Sequence, residues 1–158
     1  MKRRIVNYFR QFKEPIMKKE LRRFLLEGLL LSTLFAAMLG ALRFLVVFTP
    51  FAFLSLFVFV IYYMFLIKRL RGSFYVYHVW YSILAVLFLL IGDYIMGVSS
   101  DMITLLYSKQ PLSIHILNPI HQYTFLFYWA FDAFQIAINL LSIFIYGIII
   151  YLTYQRMK

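Results

Sequence analysis

The longest apolar stretch of the chain, Tyr123 to Tyr154, carries its polar residues on one side. At about 1.5 Å per residue, a helix over this stretch exceeds the roughly 30 Å of a bilayer core. At about 100° per residue, six of its polar residues share an arc of roughly 80°. This polar stripe consists of Tyr128, Asp132, Gln135, Asn139, Ser142 and Tyr146. Because hydrocarbon cannot satisfy polar groups, we expect the stripe to face other protein or a water-filled cavity.

Three shorter apolar runs precede this stretch, separated by turn-forming or basic residues. Thr49-Pro50 separates the first two runs, and the basic segment 68–71 with Gly72-Ser73 separates the second from the third. The second run carries no charge, so we expect it to be the most lipid-exposed helix. The predicted spans are 24–48, 51–67, 74–97 and 124–154. The predicted fold class is all-α, an integral membrane bundle of four transmembrane helices over residues 24–158.

Residues 1–23 form a basic segment ahead of the first span. They hold nine Lys or Arg residues against Glu14 and Glu20. Four apolar residues share one helical face of about 60°. These residues are Ile5, Phe9, Phe12 and Ile16. The pattern predicts a basic amphipathic helix on the cytoplasmic leaflet, and the alternative is a basic tail that only sets topology.

Composition and charge agree with a membrane protein. The chain of 158 residues is 64% hydrophobic and carries a net charge of +10, whereas soluble domains are about half apolar. The charges stand at the ends of apolar runs, which excludes nucleic acid as a partner and favours the bilayer. The absence of cysteine excludes disulfides and thiolate metal sites.

The distribution of basic residues predicts the orientation. The N-terminal segment, residues 68–71 and the C-terminus carry nine, three and two Lys or Arg residues, and the other connections carry only Lys109. By the positive-inside rule both termini lie in the cytoplasm. We expect a multi-pass protein of a bacterial cell membrane.

Small residues repeat every four positions in the first span. This small-residue ladder consists of Gly28, Ser32, Ala36 and Gly40. Such spacing lets the backbone of another helix approach closely. In the third span, six residues share about 100° of the helix circumference. They are His78, Ser82, Ala85, Gly92, Asp93 and Met96.

Of the charged residues inside the predicted spans, three lie in the half away from the termini. Counted from the span ends, Arg43, Asp93 and Asp132 fall within about one helical turn of depth. An unpaired charge at this depth costs several kcal/mol, so the sequence predicts an Arg43–Asp93/Asp132 cluster. Its role is either an ion pair that sets topology or a binding site for an anionic or proton-linked ligand.

The connection 98–122 is the longest outside the spans. Ser99-Ser100-Asp101 predicts a helix N-cap ahead of a short apolar helix. His115 and His121 have no recognised ligand spacing, so we predict no metal site; a site shared with Asp101 is the alternative.

The motifs leave the function open. H-E-x-x-H, G-x-S-x-G and P-loop motifs are absent, so we expect no catalytic residues and no cofactor. We favour a non-catalytic accessory or regulatory subunit that associates with another membrane protein or with a second copy, because ladder and stripe both suit close helix contact. The alternatives are a small-solute or ion transporter, or a subunit of one, that uses Arg43, Asp93 and Asp132, and an intramembrane enzyme. The stripe is an interface in the first case and a pathway wall in the second.

Overall fold

The computed structural model describes most of the chain. The residues described are 16–47, 55–111, 113–123, 126 and 133–158, without the side chains of 47, 55, 56, 133–135 and 138. Over these ranges the chain is helical and contains no strand, which confirms the all-α class. Most of the basic amphipathic segment, Tyr128 and Asp132 lie outside the described residues.

Six α-helices account for the described fold. The first two, α1 and α2, continue one another through a π turn. The bounds are α1 Lys18–Leu30, the π turn Leu31–Phe35, α2 Ala36–Val47, α3 Ser55–Arg71, α4 Val79–Tyr107, α5 Pro119–Gln122 and α6 Ala133–Arg156. A 3₁₀ turn, Ile114–Leu117, precedes α5.

Two of the described helices are long and apolar enough to cross a membrane, judged by length and composition. They are Lys18–Val46, which joins α1 and α2, and Val79–Tyr107, which is α4. The 29 residues of α4 extend over roughly 44 Å, more than a bilayer core requires. The second and fourth predicted spans begin in residues outside the description, so the structure supports two spans and leaves the other two as predictions.

The π turn keeps the small-residue ladder aligned. In a regular α-helix every fourth residue drifts by about 40° per step, since each residue turns about 100°. The wider i→i+5 turn opposes that drift, and hydroxyl groups of Ser32 and Thr33 bond the Leu29 carbonyl beside it. All four ladder residues are buried.

The ladder packs against α4 of the same chain. A methyl group at Gly28 would overlap the Phe88 ring, and one at Gly40 would lie 2.6 Å from the Met96 carbonyl oxygen. These close approaches run in the same order along both helices, so the α1–α2 helix and α4 are parallel. The ladder is therefore filled within the chain and does not remain open to a partner.

Helix α3 runs antiparallel to these two helices and contacts both of them. Its Tyr62 hydroxyl donates to the Phe88 carbonyl at 2.8 Å. Every fourth residue of α3 is buried, namely Val58, Tyr62, Leu66 and Leu70. The prediction that this helix is the most lipid-exposed overlooked this spacing, which marks one core-facing side.

The C-terminal end of α6 is anchored to both neighbouring helices. The last four carbonyls of a helix have no partner within it. Ser82 of α4 donates to the Tyr154 carbonyl at 3.2 Å, and Arg71 of α3 donates to the Arg156 carbonyl. The backbone amides of Met157 and Lys158 donate to the carbonyls of residues 153 and 155. Met157 is fully buried beyond them, so this end of α6 is fixed to α3 and α4.

The third span differs from its predicted bounds at both ends. Residues 74–78 are not helical, and His78 is the N-cap, accepting a hydrogen bond from the Trp80 amide at 3.2 Å. The predicted N-cap at Ser99-Ser100-Asp101 is wrong, because α4 continues through it to Tyr107. Ser100 is buried, and the Asp101 carboxylate accepts from the Gln122 amide at 2.6 Å. Tertiary partners thus satisfy polar groups that would otherwise favour a helix start.

The basic residues after the second apolar run lie in a helix instead of a loop. Lys68, Arg69 and Arg71 form the last turn of α3, and the turn follows at Gly72 and Ser73. Cations in the last turn of a helix interact favourably with its dipole. At the same end of the bundle, Glu27 of α1 pairs with Arg23 at 2.9 Å and with Arg69 at 3.3 Å.

Candidate functional site

A carboxylate in the interior of the bundle is the most distinctive polar group of the described chain. Asp93 lies on α4 and is only 7% exposed. The Tyr146 hydroxyl of α6 donates to it at 2.5 Å, and the Tyr123 hydroxyl also reaches it. A buried carboxylate without such donors would cost several kcal/mol.

Further aromatic residues close the surroundings of this carboxylate. The rings of Tyr123 and Tyr146 meet edge to face, with 6.2 Å between their centroids. The Tyr123 hydroxyl lies 3.1 Å from the Leu90 carbonyl oxygen, so it is tied to α4 as well. The Tyr62 hydroxyl of α3 lies beside Gly92 and interacts electrostatically with Asp93. We call Asp93 with Tyr62, Tyr123 and Tyr146 the Asp93 site.

Gly92 makes room for this arrangement. A methyl group at Gly92 would overlap the hydroxyl of Tyr62, so glycine leaves the room that this hydroxyl occupies beside Asp93. The six residues that helical spacing places on one side of the third span are all buried. They are His78, Ser82, Ala85, Gly92, Asp93 and Met96. The face that contains Asp93 could therefore be read from helical spacing alone.

Arg43 is a distant electrostatic neighbour of the Asp93 site. It lies half-buried on α2, and its charge acts on Asp93 and Tyr146. The ion pairs of the described residues do not include Arg43 with Asp93. The direct Arg43–Asp93 contact inferred from span depth is therefore corrected to a longer-range interaction, because tyrosine hydroxyls occupy the positions nearest the carboxylate. Asp132 lies outside the described residues, so its pairing with Arg43 stays a prediction.

The described part of the polar stripe turns toward the chain's own helices. Asn139 is 1% exposed, Ser142 and Tyr146 are half-buried, and Tyr146 reaches Asp93. The backbone of Gln135 lies in α6, while its side chain is outside the description. Like the small-residue ladder, this part of the polar stripe packs against other helices of the same chain.

Two members of the site, Tyr62 and Tyr123, are absent from the residues that the sequence patterns single out. For Tyr62 the four-residue spacing with Val58 and Leu66 is a usable signal. Tyr123 marks only the start of the last apolar stretch, and no local signal connects it with a site. It reaches Asp93 because residues 117–122, just before it, fold back against α4.

The described residues contain no group of three His, Cys, Asp or Glu side chains arranged to hold a metal ion. Asp101 and His121 meet at 3.7 Å, but they form only a pair. The chemistry of the Asp93 site is that of a sequestered carboxylate with hydroxyl donors, which can hold a proton or a small cation or lock helices together by hydrogen bonds.

Comparisons with protein-family models, with curated proteins and with solved structures found no match to this chain.

Proposed function

We propose that the protein is a multi-pass membrane protein with four spans and both termini in the cytoplasm. We further propose that it acts as a non-catalytic accessory or regulatory subunit, which binds a transmembrane helix of another membrane protein in a groove between α4 and α6. The membrane assignment is supported by surface chemistry and charge, and the partner by the shape of the groove.

Large apolar side chains are exposed along every long helix of the described chain. Soluble monomers rarely expose an apolar patch larger than a few hundred Å², whereas a lipid-facing helix surface is apolar throughout. The exposed residues include Leu34, Met38, Leu42, Leu45, Phe57, Ile61, Met64, Leu87, Leu140, Leu141 and Phe144. Basic residues cluster at the end that carries Lys68 and Arg156, which supports a cytoplasmic position for that end.

The orientation predicts opposite accessibility for two cysteine probes. The chain contains no cysteine, so single substitutions need no background removal. Tyr75 is 91% exposed beside the basic end, and Ser113 is exposed in the opposite connection. A membrane-impermeant maleimide should label Ser113→Cys in intact cells and Tyr75→Cys only after the cells are opened. Met38→Cys, on the lipid-facing side, should stay unlabelled. Labelling of both probes from one side would contradict the span count.

The observation that carries the functional proposal is an apolar groove between α4 and α6. Its volume is about 470 Å³. It is lined by Ile83, Val86, Leu87, Gly147, Ile150, Tyr151 and Tyr154. A methyl group at Gly147 would meet no atom within 4 Å, so the backbone of α6 is open there.

An open glycine in an apolar groove suits a helix better than it suits lipid tails. Association of helices in a bilayer depends on van der Waals packing, and small residues let two backbones approach. The small-residue ladder and the described polar stripe are already filled within the chain, whereas this groove is open to close contact with another helix. Tyr151 at its edge is exposed and can add a hydrogen bond to a partner helix.

A photocrosslinking amino acid at Leu87 should test the groove directly. The expected product is an adduct with a transmembrane segment of another protein, identified by mass spectrometry and abolished by Gly147→Leu, which fills the groove. A crosslinker at Met38, on a different exposed face, should not give that adduct. An adduct with a second copy of this chain would mean that the groove forms a contact within a homo-oligomer and does not bind a different protein. Lipid adducts alone, or the same adduct from Met38, would overturn the proposed docking site.

A transporter, or a subunit of one, is the second candidate, and the Asp93 site favours it. A buried carboxylate in a membrane helix is costly and is a common element of proton or cation pathways. Proteoliposomes that contain the purified protein alone provide the test. Proton or cation flux that is lost in Asp93→Asn would favour transport, and no flux from wild type would favour the accessory function.

A further inference from the structure

A second apolar groove lies between α3 and α6 and ends among cations. Its volume is about 500 Å³. The apolar part is formed by Ile61, Met64, Phe65 and Ile67, and the polar end by Lys68, Arg71 and Arg156. A neighbouring cavity of about 280 Å³ shares Phe65 and Lys68 with it and adds Arg23, Arg69 and Gly72. One end of the groove is thus apolar and the other strongly basic.

Two cations of the groove, Arg71 and Arg156, contact groups other than a carboxylate in the described part of the chain. Arg71 donates to the Arg156 carbonyl, which joins the ends of α3 and α6. The Arg156 guanidinium lies 5.7 Å from the centroid of the Tyr63 ring. Among the described ion pairs at this end, Glu27 is bound by Arg23 and Arg69, and none involves Lys68, Arg71 or Arg156. These three charges are therefore available to an external anion.

We propose that this groove binds one anionic phospholipid from the cytoplasmic leaflet. The phosphate lies among Lys68, Arg71 and Arg156, and one acyl chain follows Ile61, Met64 and Phe65 along α3. Basic pockets between transmembrane helices on the cytoplasmic side recognise anionic headgroups by this combination of charge and apolar surface. The site rests on the proposed membrane insertion and orientation, but it is independent of the partner helix, because it lies on the opposite side of α6 from the Gly147 groove.

Native mass spectrometry of the purified protein in mild detergent provides the measurement. Phosphatidylglycerol should bind more tightly than phosphatidylcholine with the same acyl chains. Each Lys or Arg near an anionic headgroup contributes on the order of 1 kcal/mol, so Lys68→Gln with Arg156→Gln should weaken phosphatidylglycerol binding about 30-fold. Met64→Trp keeps the charges and fills the apolar half, and it should weaken binding as well.

The matched control removes two equally exposed charges elsewhere. Lys18→Gln with Lys19→Gln changes net charge by the same amount at the start of α1, and it should leave binding within about twofold, since these residues lie outside the groove. Soluble glycerol phosphate at the same concentration should not displace the lipid, because it lacks the acyl chain. Circular dichroism checks that each variant keeps its helix content.

Three results would overturn the lipid site. They are equal binding of the two lipids, an equal loss in the control variant, and displacement by glycerol phosphate. If the groove variant loses its helix content, Met64→Trp still decides, because it leaves Lys68 and Arg156 in place. Loss of the Leu87 crosslink with retained lipid binding would refute the partner helix alone, and labelling of Tyr75→Cys in intact cells would refute the orientation on which the lipid site depends.

Discussion

Replacing Gly40 by alanine is expected to destabilise the bundle by about 1–3 kcal/mol, because the added methyl group meets backbone that cannot move aside. The Met96 carbonyl oxygen and the Ser99 Cβ would each lie 2.6 Å from that methyl carbon. Both atoms belong to the interior of α4, so relief requires the two helices to separate. Separating the helices would weaken the contacts that the whole small-residue ladder makes with α4.

Gly147→Ala is the matched control for this prediction. It makes the same chemical change inside a helix, at a position with nothing within 4 Å. Alanine is favoured over glycine within a helix by roughly 0.5–1 kcal/mol. The control should therefore be neutral or slightly stabilising. Unfolding of both variants by SDS titration in mixed micelles, followed by circular dichroism, measures the difference. Equal stability of the two variants would show that α2 and α4 do not meet at Gly40.

Tyr146→Phe is expected to cost about 1.5–3 kcal/mol, the range for a hydrogen bond to a charged group. The change removes one oxygen and leaves the ring, so its packing against Tyr123 is kept. What is lost is the donor to a carboxylate that has little access to water. Tyr151→Phe makes the same change on an exposed ring of α6, and it should stay within about 0.5 kcal/mol of wild type.

A double-mutant cycle tells whether the hydrogen bond itself is responsible. Asp93→Leu removes the acceptor, so adding Tyr146→Phe to it should cost much less than Tyr146→Phe alone. Residues in contact couple by about 0.5–3 kcal/mol, whereas independent sites add within about 0.5 kcal/mol. The same SDS unfolding assay serves for all four proteins. Strict additivity would mean that Tyr146 and Asp93 do not interact, and the account of the site would be wrong.

The helical class and the protein-facing side of α4 could be predicted from the sequence because both depend on local periodicity. Residues spaced along 78–96 repeat at helical intervals, so their common face follows from about 100° of rotation per residue. The ladder of the first span was recognisable for the same reason. The helix that packs against the ladder could not be predicted, since spacing shows only that some helix can approach closely. The structure shows that this helix is α4 of the same chain.

The candidate site could be predicted in part. The sequence marks Asp93 as a membrane carboxylate and Tyr146 as a member of the polar stripe. Their direct contact does not follow from it, because a buried carboxylate favours a cation such as Arg43 as its partner. Charge and depth along the helix identify possible partners, but the distance between two side chains depends on how the helices rotate about their axes. Gly92 lets Tyr62 approach, and hydroxyl groups surround the carboxylate where a guanidinium was expected.

The sequence by itself determined the helical class and the shared faces of the small-residue ladder and of residues 78–96, because these follow from periodicity. The tertiary structure decided where helices end and which polar groups meet. Helix α4 continues through Ser99-Ser100-Asp101 because Gln122 satisfies Asp101 from α5. Helix α6 ends where Ser82 and Arg71 bond its last carbonyls. Such partners are distant along the chain, so no local pattern could indicate them.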